Sequence, residues 1–365
     1  MSDAGPSAIR RTRTADGVVI AWAASGAADG PVLVYLPGLP FSDFEAEWRI
    51  PLVSRALGRL GQHVRLVQYD GRGAGHSQRD VDDLTLDAML RDLDAVIEAA
   101  GSRTVVLLGF YHSVMLALAW TARHAERVDG LVLFGATARG WAAMSAAGTQ
   151  ALLSLIDQDW TTFVESAVHA WLGWPDPETG RLAVEWFRDA TTPAIARATL
   201  RESSAIDVTG VLASVACPVL VLHRVGATVL PLEASRELVA SLPDARLEVL
   251  PGTSASLFLE EPERVADRIA AFVLDPRTSG GAAPAGVAAG SRMGARSLEE
   301  PSGSLTPRER EVVAALVRGL TNDEIAAALG ISVNTVERHA SSIYRKLDVP
   351  GRSGAVAWAF RNGLA

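Results

Sequence analysis

Residues 332–347 carry Asn334, Thr335, Glu337, Arg338, Ser341, Arg345 and Lys346 at spacings that place them on one outward helical face. Amide, carboxylate, guanidinium, ammonium and hydroxyl groups displayed together are the set that reads base edges and holds phosphates in double-stranded DNA. A second cluster stands mid-chain, where Tyr111, His112 and Ser113 directly follow an apolar run. Such groups could serve hydrolysis, because a serine hydroxyl becomes a nucleophile once a histidine takes its proton and a carboxylate orients that histidine. Each cluster also has a plain structural reading: a solvated charged face in the first case, side chains filling a tight turn in the second.

Local sequence signals show what must position these groups. Thr306-Pro307-Arg308-Glu309 and Thr321-Asn322-Asp323-Glu324 each combine a capping threonine with a glutamate three residues on, so each predicts a helix start. After Gly330, Ser332 can cap a third helix, along which Val333, Val336, Ala340, Ile343 and Leu347 recur as a buried stripe. Three short capped helices in this order predict a helix-turn-helix over residues 305–365.

Upstream, apolar runs at residues 32–36, 64–69, 105–108, 130–134, 219–223 and 247–250 alternate with helical stretches, which predicts a mostly parallel sheet flanked by helices over residues 1–275. Residues 139–204 hold no strand-like run but carry Trp141, Trp160, Trp171, Trp174 and Trp186, which predicts a helical lid insertion. Residues 276–304 are rich in Gly, Ala, Pro and Ser and are expected to be a flexible linker.

The formal charge of −8 argues against nucleic-acid binding for the chain as a whole, yet from Leu305 onward eight basic residues face six acidic ones, a balance of +2 that leaves −10 for the rest. The single cysteine, Cys217, excludes an internal disulfide and a zinc site built from several thiolates, and fits a small core residue in a reducing compartment. Residues 104–121, the longest apolar stretch, are interrupted by Gly109, Tyr111, His112 and Ser113, so no membrane span is expected. The N-terminal residues lack the apolar core of a secretory signal, and a cytoplasmic protein is expected.

The segment LTPREREVVAALVRGLTNDEIAAALGISVNTVERHASSIYRKLDVPGRSGAVAWAFRNGL resembles the LuxR-type (GerE-like) helix-turn-helix throughout. The resemblance implies a recognition helix in the major groove, with Glu337, Arg338 and Ser341 facing bases and Asn334, Thr335 and Lys346 facing phosphates. Residues 353–361 resemble that family's dimerisation helix, so a homodimer on paired half-sites is implied, with RNA polymerase as a further partner.

Three further segments, VLVYLPGLP (32–40), VQYDGRGAGHS (67–77) and VVLLGFYHSVMLALAW (105–120), resemble the α/β-hydrolase fold in the expected order. Active members turn from strand to helix through GxSxG, which lifts a serine into the site. Here the turn reads Gly109-Phe110-Tyr111-His112-Ser113, so Tyr111 takes the nucleophile position, while the acid and base positions fall at Ala227 and Ala255. A frame shifted by two would make Ser113 the nucleophile, but it places Val114 and Met115 where the turn needs little bulk. Loss of a triad costs on the order of 10⁴ to 10⁶ in rate, so the resemblance implies a pseudo-hydrolase with no cofactor and no metal.

The combined expectation is an α/β hydrolase-like domain with a helical lid fused to a small all-α helix-turn-helix. The cleft would bind a small, mainly apolar effector through Leu39, Phe41, Ser42, Tyr111, His112, Val229, Trp141 and Trp171, and would modulate operator binding through the geometry of a dimer. Two alternatives are a hydrolase-like domain that serves only as a dimerisation or interaction platform, and a residual hydrolase.

Overall fold

The apolar runs pair side by side because strands buried on both faces need apolar side chains in both directions. The computed structural model describes residues 8–140, 147–173, 176–227, 229–277, 305–317, 320–347, 349 and 351–361. Strands β1 (Arg10–Arg13), β2 (Val19–Gly26), β3 (Val32–Tyr35), β4 (Arg65–Tyr69), β5 (Val105–Phe110), β6 (Val128–Phe134), β7 (Val219–Arg224) and β8 (Ala245–Leu250) form one sheet in the order β1-β2-β4-β3-β5-β6-β7-β8. The β4 and β3 pair and every pair from β3 to β8 is parallel, whereas β1 and β2 run antiparallel at one edge.

Helices cover both faces. Between β3 and β4 lie α1 (Phe44–Trp48) and α2 (Pro51–Gly61), followed by α3 (Leu86–Ala100) before β5 and α4 (His112–Arg123) before β6. Four helices intervene between β6 and β7: α5 (Ala147–Gln158), α6 (Trp160–Trp171), α7 (Pro177–Ala190) and α8 (Pro193–Ala205). Side chains of Asp159, Asp176 and Thr192 cap α6, α7 and α8, which explains why the insertion breaks where it does. Last come α9 (Leu232–Ser241) and α10 (Pro262–Leu274). The two-residue period of the strands divides the core: Leu33 and Tyr35 pack with Leu57, Phe163 and Phe272 on one face, Val34 and Leu36 with Leu93, Leu116 and Trp120 on the other.

The C-terminal unit has its own core, in which Val312, Leu316, Ile325, Val336, Ile343 and Val356 are buried together. Its helices are α11 (Pro307–Val317), α12 (Asn322–Leu329), α13 (Val333–Leu347) and α14 (Arg352–Arg361). Both predicted boxes form, with Thr306 N donating to Glu309 Oε2 at 2.8 Å and Thr321 N to Glu324 Oε2 at 2.7 Å. Gly330 closes α12 in the left-handed region at φ 64°, a conformation that favours glycine. Helix α14 lies alongside lid helix α6, and Arg352 acts electrostatically on Asp159, the capping residue of α6. Among the described residues no helix is long and apolar enough to cross a membrane. Residues 278–304 of the expected linker lie outside the described residues.

Candidate ligand cavity and DNA-reading helix

β5 ends at Phe110 and α4 begins at His112, so the reversal between them falls on Tyr111, which has φ 48° and ψ −110°. A non-glycine residue in that region costs on the order of 1–3 kcal/mol, so the surroundings must hold it there. Two glycines make the room: a Cβ on Gly135 would come within 2.6 Å of Tyr111 Cε1, and one on Gly109 within 2.9 Å of Ser113 O. Tyr111 N donates to Phe134 O at 3.0 Å, and the ring stands edge-on to Phe134 at 5.8 Å. The sharp elbow is therefore built although its apex is a phenol.

Ser113 does not enter the cavity. It is fully buried, its Oγ accepting from Phe110 N at 2.9 Å and donating to Phe110 O at 3.0 Å, so the hydroxyl closes the turn behind the elbow. The frame that would make it a nucleophile fails on this geometry. Ala255 stands in the cavity wall, and Ala227 N bonds back to Arg224 O at 3.1 Å. The loop around Ala255 is held by Arg224, a fully buried guanidinium that donates to Pro251 O (2.8 Å), Leu257 O (3.1 Å) and Glu260 O (2.6 Å). One histidine does meet a serine, His223 Nδ1 to Ser235 Oγ at 2.9 Å, but Ser235 is engaged by the Ala136 backbone and neither residue lines the cavity.

Above the elbow lies a cavity of about 110 Å³, several times the space that one water needs. Leu39, Phe41, Tyr111, His112, Val229 and Trp171, all expected from the sequence, line it. Phe41 centres an aromatic cluster, stacked on Phe187 at 4.3 Å and tilted against Trp171 at 6.1 Å, while Trp186 Nε1 donates to Phe41 O at 2.7 Å and ties the lid to the floor. Ser42 requires correction: its buried Oγ accepts from Gly71 N at 2.9 Å and braces two loops instead of facing the cavity. Trp141 lies outside the described residues.

Sequence reasoning missed the polar part of the wall. Tyr35 and Glu47, both buried, line the cavity side by side. Burial, reinforced by the nearby Asp70 and Asp43 carboxylates, pushes the Glu47 carboxyl up to about 8. Burial also raises the Tyr35 and Tyr111 phenols above their ordinary range and lowers His112 to about 4. Each of these shifts favours the uncharged form of its group at neutral pH.

On α13, Asn334, Glu337, Arg338, Ser341 and Arg345 are exposed, with Val336, Ala340 and Ile343 buried behind them. Thr335 is half-buried, its hydroxyl 2.8 Å from Ser332 Oγ at the helix start. Lys346, expected from the sequence to face phosphate, also has a partner within the C-terminal unit. Its Nζ donates to Glu309 Oε2 at 2.6 Å, and Ser342 Oγ donates to the other oxygen at 2.8 Å, so the ammonium ties α13 to the buried acid of α11.

Residues 31–262 match the family model described as alpha/beta hydrolase fold, over more than half the chain. The chain belongs to the alpha/beta hydrolase fold family. Residues 303–359 match bacterial regulatory proteins, luxR family, so a luxR-type helix-turn-helix is fused behind the hydrolase fold. An esterase from Rhodococcus sp. ECU1013 shares 23% identity with a TM-score of 0.64, the alignment covering 74% of this chain and 99% of the esterase. A bromoperoxidase from Bacillus anthracis gives 17% and 0.64 over 73% and 100%. At these identities the likeness shows the fold alone.

A putative carbamate hydrolase, RutD of a Caulobacter species, is 27% identical over 56% of this chain and 78% of its own length. The probable transcriptional regulatory protein SgaR of Hyphomicrobium methylovorum is 55% identical over 58 residues, 16% of this chain. This chain spans only 28% of SgaR, so the likeness is confined to the helix-turn-helix. The elbow of Tyr111 is the strand-to-helix turn between β5 and α4, Ala255 lines the cavity above it, and Ala227 lies in the loop after β7.

Proposed function

We propose that this protein is a DNA-binding transcriptional regulator whose hydrolase-fold domain binds a small, mainly apolar effector without turning it over. The observation that carries the reading is the elbow and its cavity: Tyr111 holds the strained apex, Ser113 is consumed by Phe110, and alanines stand at 227 and 255. A phenol held protonated by burial and beside a neutral His112 is a hydrogen-bonding wall, not an activated nucleophile. The luxR-type match and the exposed polar face of α13 support promoter DNA as the partner, with Glu337, Arg338 and Ser341 reading bases and Asn334 and Thr335 holding phosphates. Pairing of two copies on the operator, contact with RNA polymerase and a cytoplasmic location belong to the same reading.

Communication between the two units need not rely on dimer geometry alone, the route expected from the sequence. Helix α6 ends in Trp171 at the cavity and lies alongside α14, so a lid shifted by an effector moves the surface on which α14 rests. A coupling of about 1–3 kcal/mol would change DNA affinity roughly 5- to 150-fold.

Two measurements on the full chain test the proposal. Selection from random duplexes should recover a preferred sequence, and Arg338→Ala should recover the same sequence relaxed at one position. Assay with p-nitrophenyl butyrate should give no turnover above background; turnover abolished by Tyr111→Phe would instead establish a hydrolase.

A further inference from the structure

The lining of the cavity restricts what can occupy it. Its titratable side chains among the described residues are Tyr35, Glu47, Tyr111 and His112. Glu47 sits on α1, is 3% exposed, and has an Oε2 atom without a partner among the described residues, while the buried Tyr35 lies beside the same carboxyl. A buried polar group left unmatched costs free energy, and a ligand that matches it regains that cost.

We propose that Glu47 is the polar anchor of the effector site, acting as a neutral carboxylic acid that donates a hydrogen bond to the carbonyl-type oxygen of an uncharged, otherwise apolar ligand. The inference rests on the effector-binding reading above and names the ligand class for that site. The groups that face Glu47 bear on its protonation from every side: Tyr35 from β3, Asp43 at the cap of α1, and Asp70 after β4. Two carry carboxyl groups: Asp70, itself raised by burial, accepts from Phe44 N and His76 N and meets the His76 ring at 3.2 Å, and the same ring lies 3.8 Å from Asp43. Burial first, and these carboxyl groups second, oppose a negative charge at Glu47, so the acid keeps its proton, which is consistent with the upward shift to about 8. A ligand carboxylate would meet no cation in this wall, and a ligand ammonium would meet only neutral groups, whereas a carbonyl oxygen meets a donor. Phe41, Trp171, Trp186 and Phe187 accept the apolar remainder.

Three probes of equal carbon count separate the possibilities: ethyl hexanoate, octanoate and octylamine, titrated into the full chain at pH 7 with tryptophan fluorescence as the readout. Ethyl hexanoate should bind and the two ions should bind at least about tenfold more weakly. Glu47→Leu should weaken the ester about tenfold, and Glu47→Gln, which keeps a donor, should restore most of the affinity. In the wild type, ester binding should fall as pH rises through about 8, and in Glu47→Gln it should stay flat. Equal binding of all three probes, or Glu47→Leu without effect in a chain whose melting temperature is unchanged, overturns the anchor while leaving the cavity a binding site. Binding of none overturns both. Hydrolysis of the ester with the expected Glu47 dependence overturns only the non-enzymatic reading.

Discussion

Replacing Lys346 with alanine distinguishes two roles that a helical wheel cannot. On the sequence alone this lysine contacts phosphate; in the structure its Nζ lies 2.6 Å from Glu309 Oε2. Burial alone would push Glu309 up, but Lys346, the Thr306 backbone and Ser342 outweigh it and hold the carboxyl at about 2, against an ordinary 4.5. At 1.36 kcal/mol per pH unit that difference is about 3 kcal/mol of stability, shared among the three partners. Lys346→Ala should therefore cost the C-terminal unit about 1–2 kcal/mol at pH 7, which raises amide exchange in α11 and α13 roughly 5- to 30-fold. The sign follows from a depressed folded-state value: the stabilisation is fully present above about 4.5 and is lost as pH falls through about 2, so the difference between wild type and variant should shrink across that window. Hydrogen exchange on the full chain provides the assay, with the salt dependence of DNA binding measured in parallel. The log–log salt slope should not change in Lys346→Ala, whereas Arg345→Ala should flatten it by about 0.9, the loss of one phosphate contact. A slope flattened by Lys346→Ala with unaltered exchange in α11 would refute the tie.

Other substitutions probe the remaining elements. Arg338→Ala should cost about 1–3 kcal/mol of operator binding and relax base preference at one position, measured by competition among single-base variants of the selected duplex. Arg224→Met leaves the carbonyls of Pro251, Leu257 and Glu260 without their donor and should destabilise the hydrolase-fold domain by about 3–5 kcal/mol, visible as a lower midpoint in thermal unfolding. Glu47 has a folded-state value raised from 4.5 to about 8, so stability should decline as pH rises between those values; Glu47→Gln should remove that slope in urea titrations at pH 5 and pH 8.

What could be read from sequence was what depends on neighbours in the chain. The runs that became β3 to β7 are apolar because both faces are covered, and the boxes at Thr306 and Thr321 need only residues three apart. The edge strand β1 and its neighbour β2 escaped notice because β1 reads RRTR and β2 is rich in alanine, neither with clear apolar alternation. The turn at Tyr111 was legible from its resemblance to a known pattern, and the positive φ of Tyr111 shows that the chain does reverse sharply there. Contacts between distant segments were not legible. Nothing in the run DFEAEW around Glu47 points to Tyr35 and Asp70, the groups that stand near it in the fold. Ser42 looked like a cavity hydroxyl until Gly71, 29 residues on, claimed it, and Lys346 looked free until α11 supplied Glu309.

The central claim is that occupancy of the cavity, without bond cleavage, alters DNA binding. It is tested most directly by measuring the affinity of the full chain for its selected duplex with and without saturating ethyl hexanoate, then recovering the ester. The account predicts an affinity changed roughly 5- to 150-fold and an ester returned intact. An affinity that does not move while the cavity is full, or recovery of hexanoate and ethanol, would contradict it.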